Sequence, residues 1–213
     1  MGSGFEMSRY VESDGGYDVR SGGNWSKADY GGDLAKDAGV DLNAGADASG
    51  VAYEAAHDAP GEDLNDAGLD AVLDNFKEGK WSDLSLEEKK QSITDLASFV
   101  AADTGNGSPP EIVFSEDMPD GTYGGYSPET NRIEINVNML DDSMEAADTI
   151  AHEMWHAYQE QAAKDPSNPR AGEYQEGFDN YISPEYDFEG YENQMVEAEA
   201  RDYAQGFKDR IGS

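Results

Sequence analysis

Apolar residues recur at intervals of three and four positions along much of the chain after residue 60. The first such run ends at Glu-Gly-Lys, residues 78–80, and its apolar members are Leu69, Val72, Leu73 and Phe76. This spacing places the apolar side chains on one face of a helix. The pattern therefore predicts an amphipathic helix that buries this face in a core.

A second helix is predicted to begin at Ser85, since Ser-Leu-Glu-Glu at residues 85–88 is the sequence pattern of a capping box. Its apolar face consists of Ile93, Leu96, Ala97 and Val100. The segment Thr-Gly-Asn-Gly-Ser-Pro-Pro, residues 104–110, is expected to end this helix because it is rich in glycine and proline.

Alternating apolar and polar positions follow, which is the pattern of β-strands. We predict a short strand at Glu111–Phe114. A hairpin is predicted from two further strands, Thr122–Tyr126 and Arg132–Val137, which are joined by the turn sequence Ser-Pro-Glu-Thr-Asn.

Helical spacing returns in the last third of the chain. A long helix is predicted from Met144 to about Lys164, with Asp142 as its N-cap. The tyrosine-rich stretch at residues 171–189 shows no period and is predicted to be irregular. A last helix is predicted at Tyr191–Arg210, with Val196, Ala200, Tyr203 and Phe207 as its buried stripe. Helices and a small sheet in this order indicate an α+β domain.

The first 59 residues have a different composition from the rest of the chain. Eleven of the 24 glycines lie within residues 1–50, and all eight prolines lie at Pro60 or later. Apolar residues are sparse in this segment and keep no period. We therefore expect a flexible, acidic, glycine-rich tail at residues 1–59 and one folded domain at residues 60–213.

The net charge excludes some classes of partner. Fourteen Lys and Arg residues stand against 46 Asp and Glu residues, which gives a formal net charge of −32 at pH 7. Coulomb repulsion opposes the approach of such a chain to nucleic acid or to anionic lipid. An acidic surface instead attracts basic peptides or cations, and it is also typical of proteins adapted to high salt.

The chain contains no cysteine, so any metal must be held by His, Asp or Glu. No continuous apolar run lies in the first thirty residues, and no stretch is long enough to span a membrane. We therefore expect no membrane association. The expected protein is a monomer that is cytoplasmic or is released by a route that needs no signal peptide.

The segment Ala-His-Glu-Met-Trp-His, residues 151–156, carries the candidate chemistry. His152 and His156 are four positions apart, so their imidazoles project from the same face of the predicted helix. This separation allows both rings to bind one zinc ion at about 2.0–2.1 Å. Glu153 lies beside them, where it can act as the general base on a zinc-bound water whose pKa is about 7.

A zinc site of this kind needs a third protein ligand. The third histidine, His57, lies in the predicted tail. A carboxylate from the last helix is therefore expected, and that helix offers Glu192, Glu197 and Glu199. Glu197 is favoured, because it lies on the side that carries Ala200 and Ala204, whose small side chains allow close helix packing; Glu199 is the alternative.

The segment His152–His156, followed by a glutamate on a later helix, resembles the gluzincin class of zinc metallopeptidases. The resemblance covers roughly residues 81–206 and extends to small zincin domains of bacterial secreted and toxin-like proteins. It implies a zincin-like fold that hydrolyses peptide bonds as an endopeptidase. In this class the third ligand is often followed three residues later by a small residue, as Glu197 is followed by Ala200.

The resemblance also implies how a peptide or protein substrate would bind. The strand before the His helix would be an edge strand that pairs with substrate backbone, through Ile133, Ile135, Asn136 and Val137. A tyrosine would polarise the scissile carbonyl, and four remain open as candidates: Tyr174, Tyr181, Tyr186 and Tyr191. The net charge favours a substrate with basic residues.

The chain departs from the related patterns at two points. It lacks the Gly and the third His that metzincins place after the His-Glu-x-x-His segment, and Arg201 stands where thermolysin-like enzymes have Asp. The residue that orients a His ligand is therefore open between Asp148 and Asp202.

An alternative function is a zinc-binding module that interacts with a partner protein of a bacterial secretion or toxin system and catalyses no reaction. The presence of Glu153 argues against it, since a binding module needs no general base.

Overall fold

The computed structural model describes residues 7–10, 66–119, 121–184 and 186–213, with the side chains of residues 7–10, 66 and 67 left out. This part of the chain is α+β. Its α-helices are α1 Asp66–Leu73, α2 Glu78–Trp81, α3 Leu86–Asp103, α4 Ser143–Lys164, α5 Ala171–Asp179, α6 Phe188–Asn193 and α7 Met195–Ile211. Short 3-10 helices lie at Asp74–Phe76 and Val137–Met139.

The described strands form a mixed sheet. They are β1 Met7–Tyr10, β2 Glu111–Ser115, β3 Thr122–Ser127 and β4 Arg132–Asn136, in the spatial order β1-β3-β4-β2. β3 and β4 form the predicted antiparallel hairpin, with Tyr126 opposite Ile133. β2 pairs in parallel with β4, and β1 pairs antiparallel with β3.

The prediction that Arg132–Val137 is an edge strand is wrong. β4 pairs along its whole length with β2 on one side and over residues 132–135 with β3 on the other. The side chains of Ile133 and Ile135 are buried in the core, and the side-chain amide of Asn136 donates from Nδ2 to the backbone carbonyl of Thr122. Val137 lies beyond the strand, in the following 3-10 helix. Since the backbone groups of β4 already have partners, the strand cannot add a substrate peptide.

Two of the predicted helix starts are confirmed. The Ser85 hydroxyl accepts from the Glu88 amide, and the Glu88 carboxylate accepts from the Ser85 amide, which is a complete capping box. The Asp142 carboxylate accepts from the amides of Met144 and Glu145 at the start of α4. Capping satisfies amide groups that have no partner within the helix, so these starts are determined locally.

The prediction that residues 171–189 are irregular is wrong, because α5 occupies Ala171–Asp179 and α6 begins at Phe188. The predicted start of the last helix, Tyr191, is also wrong. The helix begins at Met195, because the backbone of Gln194 is extended, with φ −70° and ψ 144°, and separates α6 from α7.

The long helix α4 runs through the centre of the fold. It packs against α3, α5 and α7 and against β3 of the sheet. Fifteen of its 22 residues are buried, so it is enclosed on most sides rather than amphipathic. β3 approaches closely at Gly124, where a Cβ atom would lie 2.7 Å from the Thr149 Cγ2 atom. The central position of α4 places its His-Glu-x-x-His segment in the interior.

Four residues of the predicted tail, Met7–Tyr10, form strand β1. The rest of the proposed tail at residues 1–59, including His57, lies outside the described residues. None of the described helices combines the length and the apolar character needed to cross a bilayer.

Candidate metal centre

Two imidazoles of α4 face each other inside the protein. The Nε2 atoms of His152 and His156 lie 3.0 Å apart, and the two side chains are 2% and 1% exposed. Residues four positions apart on a helix lie on the same face, one turn apart. The helix alone therefore brings two metal-binding nitrogen atoms together.

Helix α7 brings a carboxylate to the same point. Glu197 is fully buried, and its Oε2 atom lies 3.2 Å from His152 Nε2 while its Oε1 atom lies 3.4 Å from His156 Nε2. Ala200 and Ala204 are also fully buried, and α7 packs closely on α4. Small side chains at these positions allow the two helices to approach each other, as the sequence predicts.

Glu199 does not join this group. Its Oε1 atom pairs with Arg170 Nη2 at 2.5 Å, and its Oε2 atom accepts from Gln159 Nε2 at 3.3 Å. Among the described residues, the structure brings together one group that could hold a metal ion, and it consists of His152, His156 and Glu197.

The distances within this group fit a tetrahedral zinc ion. Three atoms bound to zinc at about 2.0–2.1 Å in tetrahedral positions lie about 3.3 Å from one another. The two Nε2 atoms are 3.0 Å apart, and each imidazole faces a different oxygen of the carboxylate, with Oε2 lying 3.2 Å from His152 and Oε1 lying 3.4 Å from His156. These separations are close to that value. Two imidazoles with one carboxylate are also a common donor set of catalytic zinc, which keeps a fourth position for water or substrate.

The buried carboxylate and imidazoles of this group change one another's pKa values. Burial raises the pKa of Glu197, but the imidazoles of His156 and His152 outweigh this effect and hold its pKa well below the usual range. Burial lowers the pKa of His156, but the carboxylates of Glu197 and Glu153 outweigh it, so that its pKa is raised. A divalent cation therefore competes with a proton at His156, because metal binds neutral imidazole and ionised carboxylate.

Glu153 lies in the same interior region, next to His152 on α4, and its side chain is fully buried. Its carboxylate is close enough to raise the pKa values of His156, Tyr181 and Tyr191, although desolvation is the largest influence on all three. Glu153 is therefore a buried carboxylate next to the first candidate ligand on α4, and its charge acts on the members of this region.

Two of the four candidate tyrosines lie at the centre. The Tyr181 hydroxyl donates to Glu197 Oε1 at 2.5 Å. Tyr191 packs against the Tyr181 ring, and burial followed by the Glu197 charge raises the pKa of Tyr191. Tyr174 is buried elsewhere, where its hydroxyl accepts from Arg170, and Tyr186 is 80% exposed. Tyr181 and Tyr191 are therefore the tyrosines that the fold brings to the candidate metal site.

Gln194 holds the segment that carries Tyr181. Its Oε1 atom accepts from the Ile182 amide at 3.0 Å, and its Nε2 atom donates to the Ile182 carbonyl at 2.9 Å. Gln194 also precedes α7 directly, three residues before Glu197. The two hydrogen bonds attach the Tyr181 segment to the helix that bears the third candidate ligand.

The orienting partner of His156 is a residue that the sequence reasoning missed. His156 Nδ1 lies 2.9 Å from Gln159 Oε1, and both side chains are buried. Of the two residues predicted to orient a His ligand, Asp202 is exposed, whereas Asp148 is buried one turn before His152 and its role stays a prediction. Gln159 could have been found from its position, since it lies three residues after His156 on the same helix.

Comparison with known proteins adds no relative to this description. No family model, no curated protein and no solved structure matches the chain. The candidate metal site therefore rests on the residues and distances given above.

Proposed function

We propose that the protein is a zinc-dependent endopeptidase, with His152, His156 and Glu197 as the zinc ligands and Glu153 as the general base. One observation carries the proposal. The metal-binding atoms of the three ligands lie within 4.8 Å of one another in the interior, and the residue after the first ligand is a buried glutamate.

When bound at this site, zinc would act as a Lewis acid that lowers the pKa of water to about 7 and polarises a carbonyl. Glu153 accepts a proton from the attacking water and later delivers it to the leaving amine. The net result is the addition of one water molecule across a peptide bond. His152, His156 and Glu197 take no part in proton transfer and set the position of the reacting groups.

Tyr181 is proposed to donate a hydrogen bond to the carbonyl oxygen on which negative charge develops. Burial, followed by the Glu197 charge, raises the pKa of Tyr181, so its hydroxyl stays protonated and remains a donor. The hydroxyl lies 2.5 Å from Glu197 Oε1, so it reaches the edge of the candidate metal site.

Replacing Tyr181 by Phe is expected to lower kcat by about a hundredfold or more, which is the typical cost of removing one donor to a developing oxyanion. Glu197 also loses a hydrogen bond in this variant, so kcat is compared at saturating zinc, with the zinc content measured in the same preparation. The matched control is Tyr186→Phe, since Tyr186 is 80% exposed. Steady-state kinetics of the two variants checks this, and equal kcat values for them would assign the donor role to another group, with Tyr191 the next to test.

The substrate is proposed to be a peptide or protein, which the monomeric protein binds without nucleic acid or membrane. The net charge of −32 favours sequences with basic residues through long-range attraction. Because β4 is an internal strand, the proposal does not include backbone pairing between the substrate and Ile133–Val137.

The proposal is tested with the wild-type protein and a library of peptides. We expect about one zinc per chain by elemental analysis, and cleavage that stops when a chelator removes zinc and returns when zinc is restored. The metal-free protein should also unfold at a lower temperature, since zinc binds only the folded state. Cleavage that persists in the metal-free protein would overturn the proposed mechanism.

One observation favours a second function, that of a zinc-binding interaction module. Glu153 and Glu197 are fully buried, and His152 and His156 are at most 2% exposed. A substrate reaches such a site only if the protein moves, whereas a structural zinc requires no access. The Glu153 variant described in the Discussion separates the two functions.

A further inference from the structure

A continuous chain of hydrogen bonds extends from the candidate metal site towards the surface. It starts at His156 Nδ1, passes through Gln159 and Glu199, and ends at Arg170. Gln159 is fully buried and Glu199 is 4% exposed. A buried polar chain of this kind is costly to leave partly unsatisfied, so each member constrains its neighbours.

The orientation of the Gln159 amide follows from its partners. Its Nε2 group donates to the Val196 carbonyl at 3.0 Å and to Glu199 Oε2 at 3.3 Å, and both of these atoms are acceptors. The carbonyl oxygen of the amide therefore points to His156, at 2.9 Å from Nδ1. An amide oxygen can only accept, so the proton of this hydrogen bond lies on His156 Nδ1.

This proton position determines which nitrogen atom binds metal. With Nδ1 protonated, the lone pair of His156 is on Nε2, the atom that lies 3.0 Å from His152 Nε2 and 3.4 Å from Glu197 Oε1. The same Gln159 side chain also binds the carbonyl of Val196, the residue directly before Glu197. One side chain thus constrains ligands on both α4 and α7.

Glu199 and Arg170 hold this side chain in place. Arg170 pairs with Glu199 Oε1 at 2.5 Å, donates to the Tyr174 hydroxyl at 2.9 Å and lies over the Tyr174 ring. The charge of Glu199 is therefore compensated, and its second oxygen is left to accept from Gln159. Arg170 precedes α5, so the chain of hydrogen bonds also ties α5 to the metal site.

We infer that Gln159 is the positioning residue of the metal centre, which fixes the tautomer of His156 and the separation of α4 and α7, with Glu199 and Arg170 as its support. This inference rests on the proposed function, because it assumes that His156 and Glu197 bind the metal. It also gives Glu199 a role other than that of an alternative ligand.

The first test uses nitrogen NMR of the zinc-loaded wild-type protein. We expect the His156 ring to carry its proton on Nδ1, with slow exchange of this proton because it is buried and hydrogen-bonded to Gln159. A His156 ring that carries its proton on Nε2 would overturn the inference without any variant. This measurement reports a proton position, which a purely structural role of Gln159 would leave undetermined.

The second test compares zinc affinity among variants of similar size. Gln159→Met removes the acceptor and should weaken zinc binding by about 10- to 100-fold, as is typical for the loss of an outer partner of a ligand. In the exchange Q159E/E199Q, the carboxylate at position 159 accepts from His156, and the amide at position 199 donates to that carboxylate. This variant should therefore recover most of the zinc affinity. The matched control is Gln161→Met, since Gln161 on the same helix bonds to Asn106 and Ser108 instead.

The outcomes separate the two proposals. If the wild-type protein binds no zinc, the proposed function fails and the role of Gln159 fails with it. If the wild-type protein binds zinc and Gln159→Met binds it equally well, only the role of Gln159 fails. Circular dichroism shows whether the Gln159→Met protein is folded. If it is not, the exchange variant Q159E/E199Q is compared with Gln159→Glu alone. Zinc affinity of the exchange variant that is no higher than that of Gln159→Glu would also overturn the inference.

Discussion

Glu153→Gln is expected to remove peptide hydrolysis while leaving zinc bound. The substitution keeps the size of the side chain but replaces a carboxylate by an amide, which cannot accept the proton of the attacking water. Loss of a positioned general base typically costs about 10²- to 10⁴-fold in rate. Because Glu153 is fully buried beside His152 and is not among the three grouped ligands, zinc content should stay at the wild-type value. Kinetics and elemental analysis of the same preparation check both statements.

The matched control is Glu160→Gln on the same helix, since Glu160 pairs with Lys164 away from the metal site. It should retain wild-type activity and zinc. Activity of Glu153→Gln within a few-fold of the wild type would remove Glu153 from the mechanism. If neither the wild type nor Glu153→Gln cleaves any peptide while both bind zinc, the interaction module becomes the better description.

The elements that could be predicted from sequence are those with local signals. Helices α3 and α4 begin with side-chain caps, and a cap is formed by residues within one turn of each other. The pair of His152 and His156 is likewise a property of one helix. Glu197 of α7 could be predicted as the third candidate ligand because Ala200 and Ala204 mark the side of that helix that can pack closely on another helix.

The order of strands could not be predicted in the same way. β2 lies more than a dozen residues before β4, yet it pairs with β4 in parallel and closes the edge that the hairpin pattern left open. Alternation of apolar and polar residues shows that a segment is a strand, but it does not show how many neighbours the strand has. The edge position predicted for Ile133, Ile135, Asn136 and Val137 was wrong for this reason, and contact of these residues with substrate stays a prediction.

Helix α5 was missed because its sequence is a poor helix former. Gly172 and Gly177 lie within it, and glycine costs about 1 kcal/mol per residue in a helix relative to alanine. The helix is stabilised by tertiary packing, in which the fully buried Tyr174 contacts Ala162 of α4 and Val196 of α7. The contacts of Gln159 with Val196 and Glu199 of α7 were missed for a related reason, since no local pattern marks them, whereas its spacing of three residues from His156 is a local signal.

The second large effect is expected on zinc affinity, when the candidate third ligands Glu197 and Glu199 are replaced one at a time. Glu197→Gln removes the charged ligand from a buried group in which Glu197 lies 3.2 Å and 3.4 Å from the two imidazole nitrogen atoms. We expect zinc affinity to fall by about a hundredfold or more, which exceeds the usual cost of losing an outer partner. Zinc titration in competition with a chelator measures it.

The matched control is Glu199→Gln, the same substitution two residues further along α7. This variant alters only the residue that supports Gln159, so its zinc affinity should fall by about tenfold or less. The metal-free proteins provide an independent comparison. Burial lowers the pKa of His156 and the Glu197 carboxylate raises it, so Glu197→Gln should lower the pKa of this imidazole. If zinc affinity instead falls more in Glu199→Gln than in Glu197→Gln, the third ligand is Glu199, and α7 must rotate from the observed geometry when metal binds.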